Sequence, residues 1–339
     1  MPTTRIASAV ALVIALGATA VAQGDSGGDA AQSGGEPRIV TVVKVRELGW
    51  FERMADGIRQ FAERRGIDAA VKGPKVASAE RQAALIRRVV AQRPDAITVV
   101  PNSPPDLEPV LRRAREAGIV VVTHEASNQR NTDVDIEAFD NFAYGPRLMD
   151  RLADCMGHSG AYVAFVGNRS ARSHRVWVRT ALEAAAAEHP DIRRIGRPRV
   201  SREDEDVAYR KAKAVLAEHP EVAGFQGSSA VDVAGIGRAV REAGRQDDTC
   251  VMGTSSPATV GDLLDDGSVD RIFLWDPAIA GQAQLKLALR LLRGQEVGPG
   301  LDLSLPGYRS LERIPGTPHG LHGDALIEVD RSNAAEYPF

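Results

Sequence analysis

From Arg38 onward, short runs rich in valine and isoleucine alternate with stretches of helical period, and no other feature of the chain constrains its fold as tightly. "RIVTVV" precedes the helical pattern "FERMADGIRQFAERR", "DAAVKG" precedes "AERQAALIRRVVAQ", and "DAITVV" precedes "DLEPVLRRAREAG" and then "IVVVTHE". Strands spaced by helices of this length pair in parallel through crossovers, and such crossovers are right-handed. The expected unit is a doubly wound α/β layer, a parallel sheet with helices on both faces.

The alternation pauses over the polar stretch "ASNQRNTDVDIEAFDN" and restarts with "YGPRLMDRLADCMG", "AYVAFVG", "EVAGFQGSS", "TCVMGTSS" and "RIFLWD". A chain of 339 residues has room for roughly two domains at about 100 to 200 residues each. The predicted architecture is therefore α/β, with two doubly wound parallel-sheet lobes joined by a hinge. Residues 38–138 with about 277–300 form the first lobe, and 139–276 with part of the 301–339 tail form the second. The polar stretch is the first crossing between them, and the junction at Trp275 and Asp276 is the second.

The N-terminus reads as an export signal. Arg5 precedes the apolar run "IASAVALVIALGATAVA", which ends on Ala20 and Ala22, so residues 1–22 are expected to be a cleaved signal peptide. Residues 23–37 read as a flexible Gly/Ser/Asp linker, and no cysteine near the cleavage site suggests a lipid anchor. The expected location is periplasmic. In that oxidising compartment Cys155 and Cys250 either form a disulfide or stand as two buried thiols, and their spacing does not decide which. A formal net charge of -3 with 26% charged residues gives no reason to expect nucleic acid or an anionic membrane as partner.

In open parallel sheets, ligands bind beyond the carboxyl ends of the strands. Those ends carry Lys44, Asn102 with Ser103, His124 with Glu125, the segment from Asn168 to His174, Ser228 with Ser229, Thr254 with Ser255, and Trp275 with Asp276. Lys44, Glu125, Asp232 and Asp276 are expected to form the polar ring of a cleft, with Trp50, Phe51, Trp177 and Trp275 as flat apolar faces. Such a set suits a small polyhydroxylated ligand. Each residue also has a purely structural role open to it: Ser228, Ser255 and Asp276 as helix N-caps, with Pro277 opening the helix after Asp276, and the tryptophans as core.

Known catalytic signatures are missing. There is no G-x-x-x-x-G-K-[ST] loop, no G-x-G-x-x-G after the first strand and no G-x-S-x-G elbow. The seven histidines lack zinc-site spacing, and adjacency of Ser173 and His174 does not make a nucleophile and base. No enzyme activity, cofactor or metal is expected.

The segments "VVKVRELGWF", "VKGP", "DAITVVPNSPPDLEPVLRRAREAGI", "GFQGSSAVDVAGIGRAVREAG", "FLWDPAIAG" and "AAEYPF" resemble periplasmic sugar-binding proteins of ABC importers, in the branch of autoinducer-2-binding and rhamnose-binding receptors. The resemblance implies a type I periplasmic binding protein, monomeric, that delivers a captured sugar or polyol to the permease subunits of an ABC transporter. A sensor subunit presenting autoinducer-2 or a sugar to a membrane signalling receptor is the alternative. The family's ligand-holding lysine falls at Lys44, and its aspartate after the fourth strand is Glu125 here. Its Asp-Gln pair falls at Ser173 and His174, and its Pro-Asp-Ala segment at Ser228, Ser229 and Ala230. Two of the family's main contacts have therefore changed, which points to a sugar or polyol rather than autoinducer-2.

Overall fold

The computed structural model describes residues 36–339; the expected signal peptide and nearly all of the linker lie outside the described residues. The chain opens with β1 (Arg38–Val42), α1 (Gly49–Arg65), β2 (Asp68–Lys72), α2 (Ala79–Ala91), β3 (Ala96–Val99), α3 (Pro104–Glu116), β4 (Val120–His124) and β5 (Val134–Glu137). It continues with α4 (Asn141–Cys155), β6 (Gly160–Val166), α5 (Arg172–Glu188), β7 (Ile192–Arg194), β8 (Arg199–Val200), α6 (Glu205–Glu218) and β9 (Val222–Gly227). Then follow α7 (Ala230–Ala243), β10 (Cys250–Thr254), α8 (Pro257–Asp265), β11 (Arg271–Leu274), α9 (Pro277–Leu292), β12 (Glu312–Arg313), β13 (Gly320–His322) and β14 (Ile327–Val329).

Two sheets result. The first runs β12-β13-β5-β4-β3-β1-β2, and the second runs β14-β11-β10-β9-β6-β7 with β8 also paired to β6. All pairings are parallel except β12 with β13 and β14 with β11, so each sheet is doubly wound with one antiparallel edge. The central strands β1, β3 and β4 are almost wholly buried because helices cover both faces, which is why they read as continuous apolar runs. Each fully buried valine or isoleucine in them stabilises the fold by about 1.5–3 kcal/mol relative to exposure.

The polar stretch contains a strand that the sequence pattern conceals. β5 is "VDIE", buried at all four positions, and its Asp135 and Glu137 face inward. They are tolerated there because Asp135 accepts from the Thr123 hydroxyl at 2.7 Å and the Ala126 amide at 3.2 Å, and Glu137 accepts from the Ser127 amide at 3.3 Å. Burial still pushes the Asp135 carboxyl up to about 6, and burial beside Asp135 pushes Glu137 up to about 8.

The chain crosses between the sheets three times: after β5, after β11, and between β13 and β14. The third crossing runs beside the first, with the Gly323 amide donating to Glu137 O at 3.0 Å and the Ala325 amide to Ala138 O at 2.9 Å. α9 returns to the first sheet and packs on α1 so closely that a Cβ on Gly57 would stand 2.3 Å from the Ala278 carbonyl oxygen. Trp275, at the second crossing, lies 4.8 Å from Trp50, 5.3 Å from Phe139 and 6.3 Å from Trp177 between ring centroids. This aromatic seam makes the apolar core continuous between the lobes. The two cysteines meet as a disulfide between the end of α4 and the start of β10, with Cα atoms 6.1 Å apart.

Candidate functional site

The carboxyl ends of the strands converge on the space between the lobes. Lys44, two residues beyond β1, and Glu125, the residue after β4, are both buried there, and Nζ lies 2.5 Å from Glu125 Oε2. Glu125 takes a left-handed backbone (φ 58°), which turns the chain sharply at the strand end. Burial disfavours both charges, but each outweighs that cost for the other. With Glu203 and Glu137 also near, the Lys44 ammonium is held above its ordinary range, and Glu125 is held below the usual carboxylate range.

A cavity of about 30 Å³ lies against this pair. Trp50, Phe51 and Leu48 line it from the first lobe, and Trp177, His174, Ser228 and Ala230 from the second, with Trp275 at the crossing. Burial pushes His174 down to about 4, so its imidazole is neutral at pH 7. Its Nδ1 accepts from the Gly167 amide at 3.2 Å, which leaves Nε2–H as the ring's donor. The lobes touch beside the cavity: Asn168 Nδ2 donates to Asn102 Oδ1 at 3.1 Å, and Arg172 Nε donates to Ser127 Oγ at 3.0 Å. Aromatic faces, one ion pair and several neutral donors and acceptors can hold a small ligand by its hydroxyl groups and C–H faces.

The periplasmic binding protein domain family matches residues 39–296, most of the chain. The chain belongs to the periplasmic binding protein family. A D-ribose/D-allose-binding protein of Pseudomonas aeruginosa is 25% identical over 281 residues, covering 77% of this chain and 83% of that protein. Among solved structures, LsrB from Clostridium saccharobutylicum in complex with AI-2 superposes with a TM-score of 0.81 at 18% identity, covering 89% of this chain and 100% of the other. An ABC transporter solute-binding protein from Clostridium phytofermentas with bound L-rhamnose gives 0.81 at 21% identity, covering 89% and 98%. These structures share the fold: two parallel-sheet α/β lobes of the type I periplasmic binding protein kind.

Within this binding-protein frame the residues singled out from the sequence divide into two groups. Lys44, Trp50, Phe51, Glu125, His174, Trp177, Ser228, Ala230 and Trp275 line the cavity. Asp232 and Asp276 stand outside this cavity, so of the four ionisable groups expected in the ring Lys44 and Glu125 line it. Asp232 is fully buried and accepts from the Ser228 and Ser229 amides at 3.2 and 2.9 Å, closing the N-terminus of α7. Asp276 caps α9 through Oδ1, which accepts from the Ala278 amide at 2.8 Å, and both its oxygens are gripped by Arg53 at 3.0 and 2.8 Å. Asn102 bridges to Asn168 rather than facing the cavity, and Ser173 is buried on α5 with its hydroxyl unpartnered.

One lining carboxylate escapes sequence reasoning. Glu203 reaches the cavity from the loop after β8, a strand of only two residues whose end carries no visible signal. The acid-rich run "EDED" that begins there reads as an exposed helix start, and Asp204 does cap α6 by accepting from the Val207 amide at 2.9 Å.

Proposed function

We propose that this protein is an extracytoplasmic solute-binding protein, exported to the periplasm, that captures a small sugar or polyol between its two lobes and delivers it to the permease of an ABC transporter. The observation that carries this reading is the buried Lys44–Glu125 pair in a cavity walled by Trp50, Trp177 and Trp275, with lining residues drawn from both lobes. A ligand contacting both lobes favours the closed state by its differential affinity, which is a binding cycle without chemistry on the ligand. The sugar-binding relatives support the same reading.

The cavity of about 30 Å³ has room for one or two water-sized groups, against the ~300 Å³ or more that small-molecule pockets commonly enclose. Capture therefore starts from lobes further apart, with the Asn168–Asn102 and Arg172–Ser127 contacts broken to admit the ligand. A thermal-shift screen against pentoses, hexoses, deoxy and amino sugars, polyols and autoinducer-2 tests the proposal. A ligand at 100 times its Kd stabilises by ~2.7 kcal/mol, enough for a clear rise in the midpoint. No shift with any compound at millimolar concentration would overturn sugar capture, and a shift with autoinducer-2 alone would replace the sugar or polyol by that ligand.

A further inference from the structure

Glu203 is held in the cavity by features that have no evident use in packing. Arg202 and Glu203 both take left-handed backbone conformations, with φ 66° and 58°, which non-glycine residues adopt rarely. Consecutive residues strained in this way turn the Glu203 side chain toward the cleft while its neighbours Arg202 and Asp204 stay exposed. Gly167, at the end of β6, clears the space: a Cβ there would lie 2.3 Å from Glu203 Oε1. The Ser229 hydroxyl then donates to Oε2 at 2.5 Å and fixes the carboxylate.

What it lacks is a cation in ion-pair contact. Among the described residues no lysine, arginine or histidine forms an ion pair with Glu203, although such pairs are frequent elsewhere on the protein. Lys44, the ammonium of the cavity, is committed to Glu125. His174, held neutral by burial, adds no charge. The lining thus sets two carboxylates against one ammonium, beside the aromatic faces of Trp50, Trp177 and Trp275. A cation completes this balance and is also attracted to those faces; a neutral ligand would leave Glu203 desolvated without a counter-charge when the lobes close.

We propose that the cleft selects an amino sugar, whose protonated amine is received by Glu203 while its hydroxyl groups meet Lys44 and Glu125. This rests on the sugar-capture reading and deepens it. Isothermal titration of the purified protein with glucosamine, galactosamine and mannosamine, each beside its neutral hexose and its N-acetyl derivative, is the test. At least one amino sugar is expected to bind ten-fold or more tighter than both of its uncharged counterparts. Glu203→Gln, which keeps the shape and can still accept from the Ser229 hydroxyl, should remove most of that ratio, weakening the amino sugar far more than its neutral counterpart. Gly167→Ala, which displaces the carboxylate without changing its charge, should shrink the ratio in the same direction. A neutral hexose binding as tightly as its amine, or a ratio unchanged in Glu203→Gln, overturns the amino-sugar assignment and leaves sugar capture standing. No binding by any of these sugars overturns the amino-sugar assignment, and sugar capture then falls only if the wider thermal-shift screen of pentoses, deoxy sugars and polyols is also negative.

Discussion

Arg53 on α1 and Asp276 at the start of α9 are joined by two hydrogen bonds, 3.0 and 2.8 Å, across 223 residues of sequence. The same guanidinium lies 4.6 Å from the ring of Phe339, whose carbonyl accepts from the Ala258 amide at the start of α8 in the second lobe. One arginine of the first lobe therefore touches both the crossing after β11 and the C-terminal residue that is tied to the other lobe. Asp276 ties this crossing together and stands outside the cavity lining.

Asp276→Ala is expected to lower stability by about 1–2 kcal/mol, from a lost helix cap and a part-exposed ion pair. Sugar affinity should fall by less than about five-fold, since the side chain does not line the cavity. Paired denaturation and titration measurements check this, and a loss of affinity larger than 100-fold with unchanged stability would return Asp276 to the ligand shell.

Lys44 and Glu125 behave as a unit. Lys44→Met leaves the Glu125 carboxylate buried and uncompensated, at an expected cost of about 3–5 kcal/mol, whereas Lys44→Met with Glu125→Leu should recover much of that stability. Neither variant is expected to bind sugar. Urea midpoints of the single and double variants measure the coupling, and additive losses would mean the pair is not interacting in solution.

The disulfide encloses a long segment, since Cys155 and Cys250 are 95 residues apart. Constraining a loop of that length in the unfolded chain stabilises the native state by about 4–5 kcal/mol in the chain-entropy account. Cys155→Ser with Cys250→Ser should therefore lower the denaturation free energy by several kcal/mol. Both residues belong to the second lobe and stand outside the cavity lining, so ligand affinity at 25 °C should hold.

How far the sequence reveals this molecule depends on how locally each feature is encoded. β1, β3 and β4 are legible because parallel strands buried on both faces are mostly apolar, with Thr41, Thr98 and Thr123 as small buried exceptions, and the crossovers then dictate the doubly wound layers. β5 is concealed because its two carboxylates are satisfied by Thr123 and by amides of the preceding loop, partners that no local pattern announces. Lys44 and Glu125 are visible as ionisable groups at strand ends. Glu203 is hidden because its strand is two residues long and backbone conformation, not helical or strand period, aims it inward. The role of Asp276 depends on Arg53, whose proximity only the tertiary fold creates.

Asp232 links the cleft wall to pH. Burial pushes its carboxyl up to about 7 from an ordinary 3.8, against the lowering effect of the Ser229 and Ser228 amides. The folded state therefore holds the proton more tightly than the unfolded chain does. This group's contribution to stability is fully present below about pH 4, declines as pH rises toward 7, and levels off above the folded value. Asp135, pushed up to about 6, acts in the same direction, while His174, pushed down to about 4, acts oppositely between about pH 4 and 6.5 because the unfolded chain binds its proton more readily. The wild-type curve alone thus mixes opposing slopes, and a difference measurement isolates Asp232. Asp232→Asn cannot ionise yet can still accept from the Ser229 amide, so its stability relative to wild type should improve steadily from pH 4 to pH 7.5 and then remain constant. Urea midpoints at pH 4.5, 6 and 8 suffice, and a relative stability that stays flat or falls across that range would mean that Asp232 titrates near its ordinary value in the folded protein.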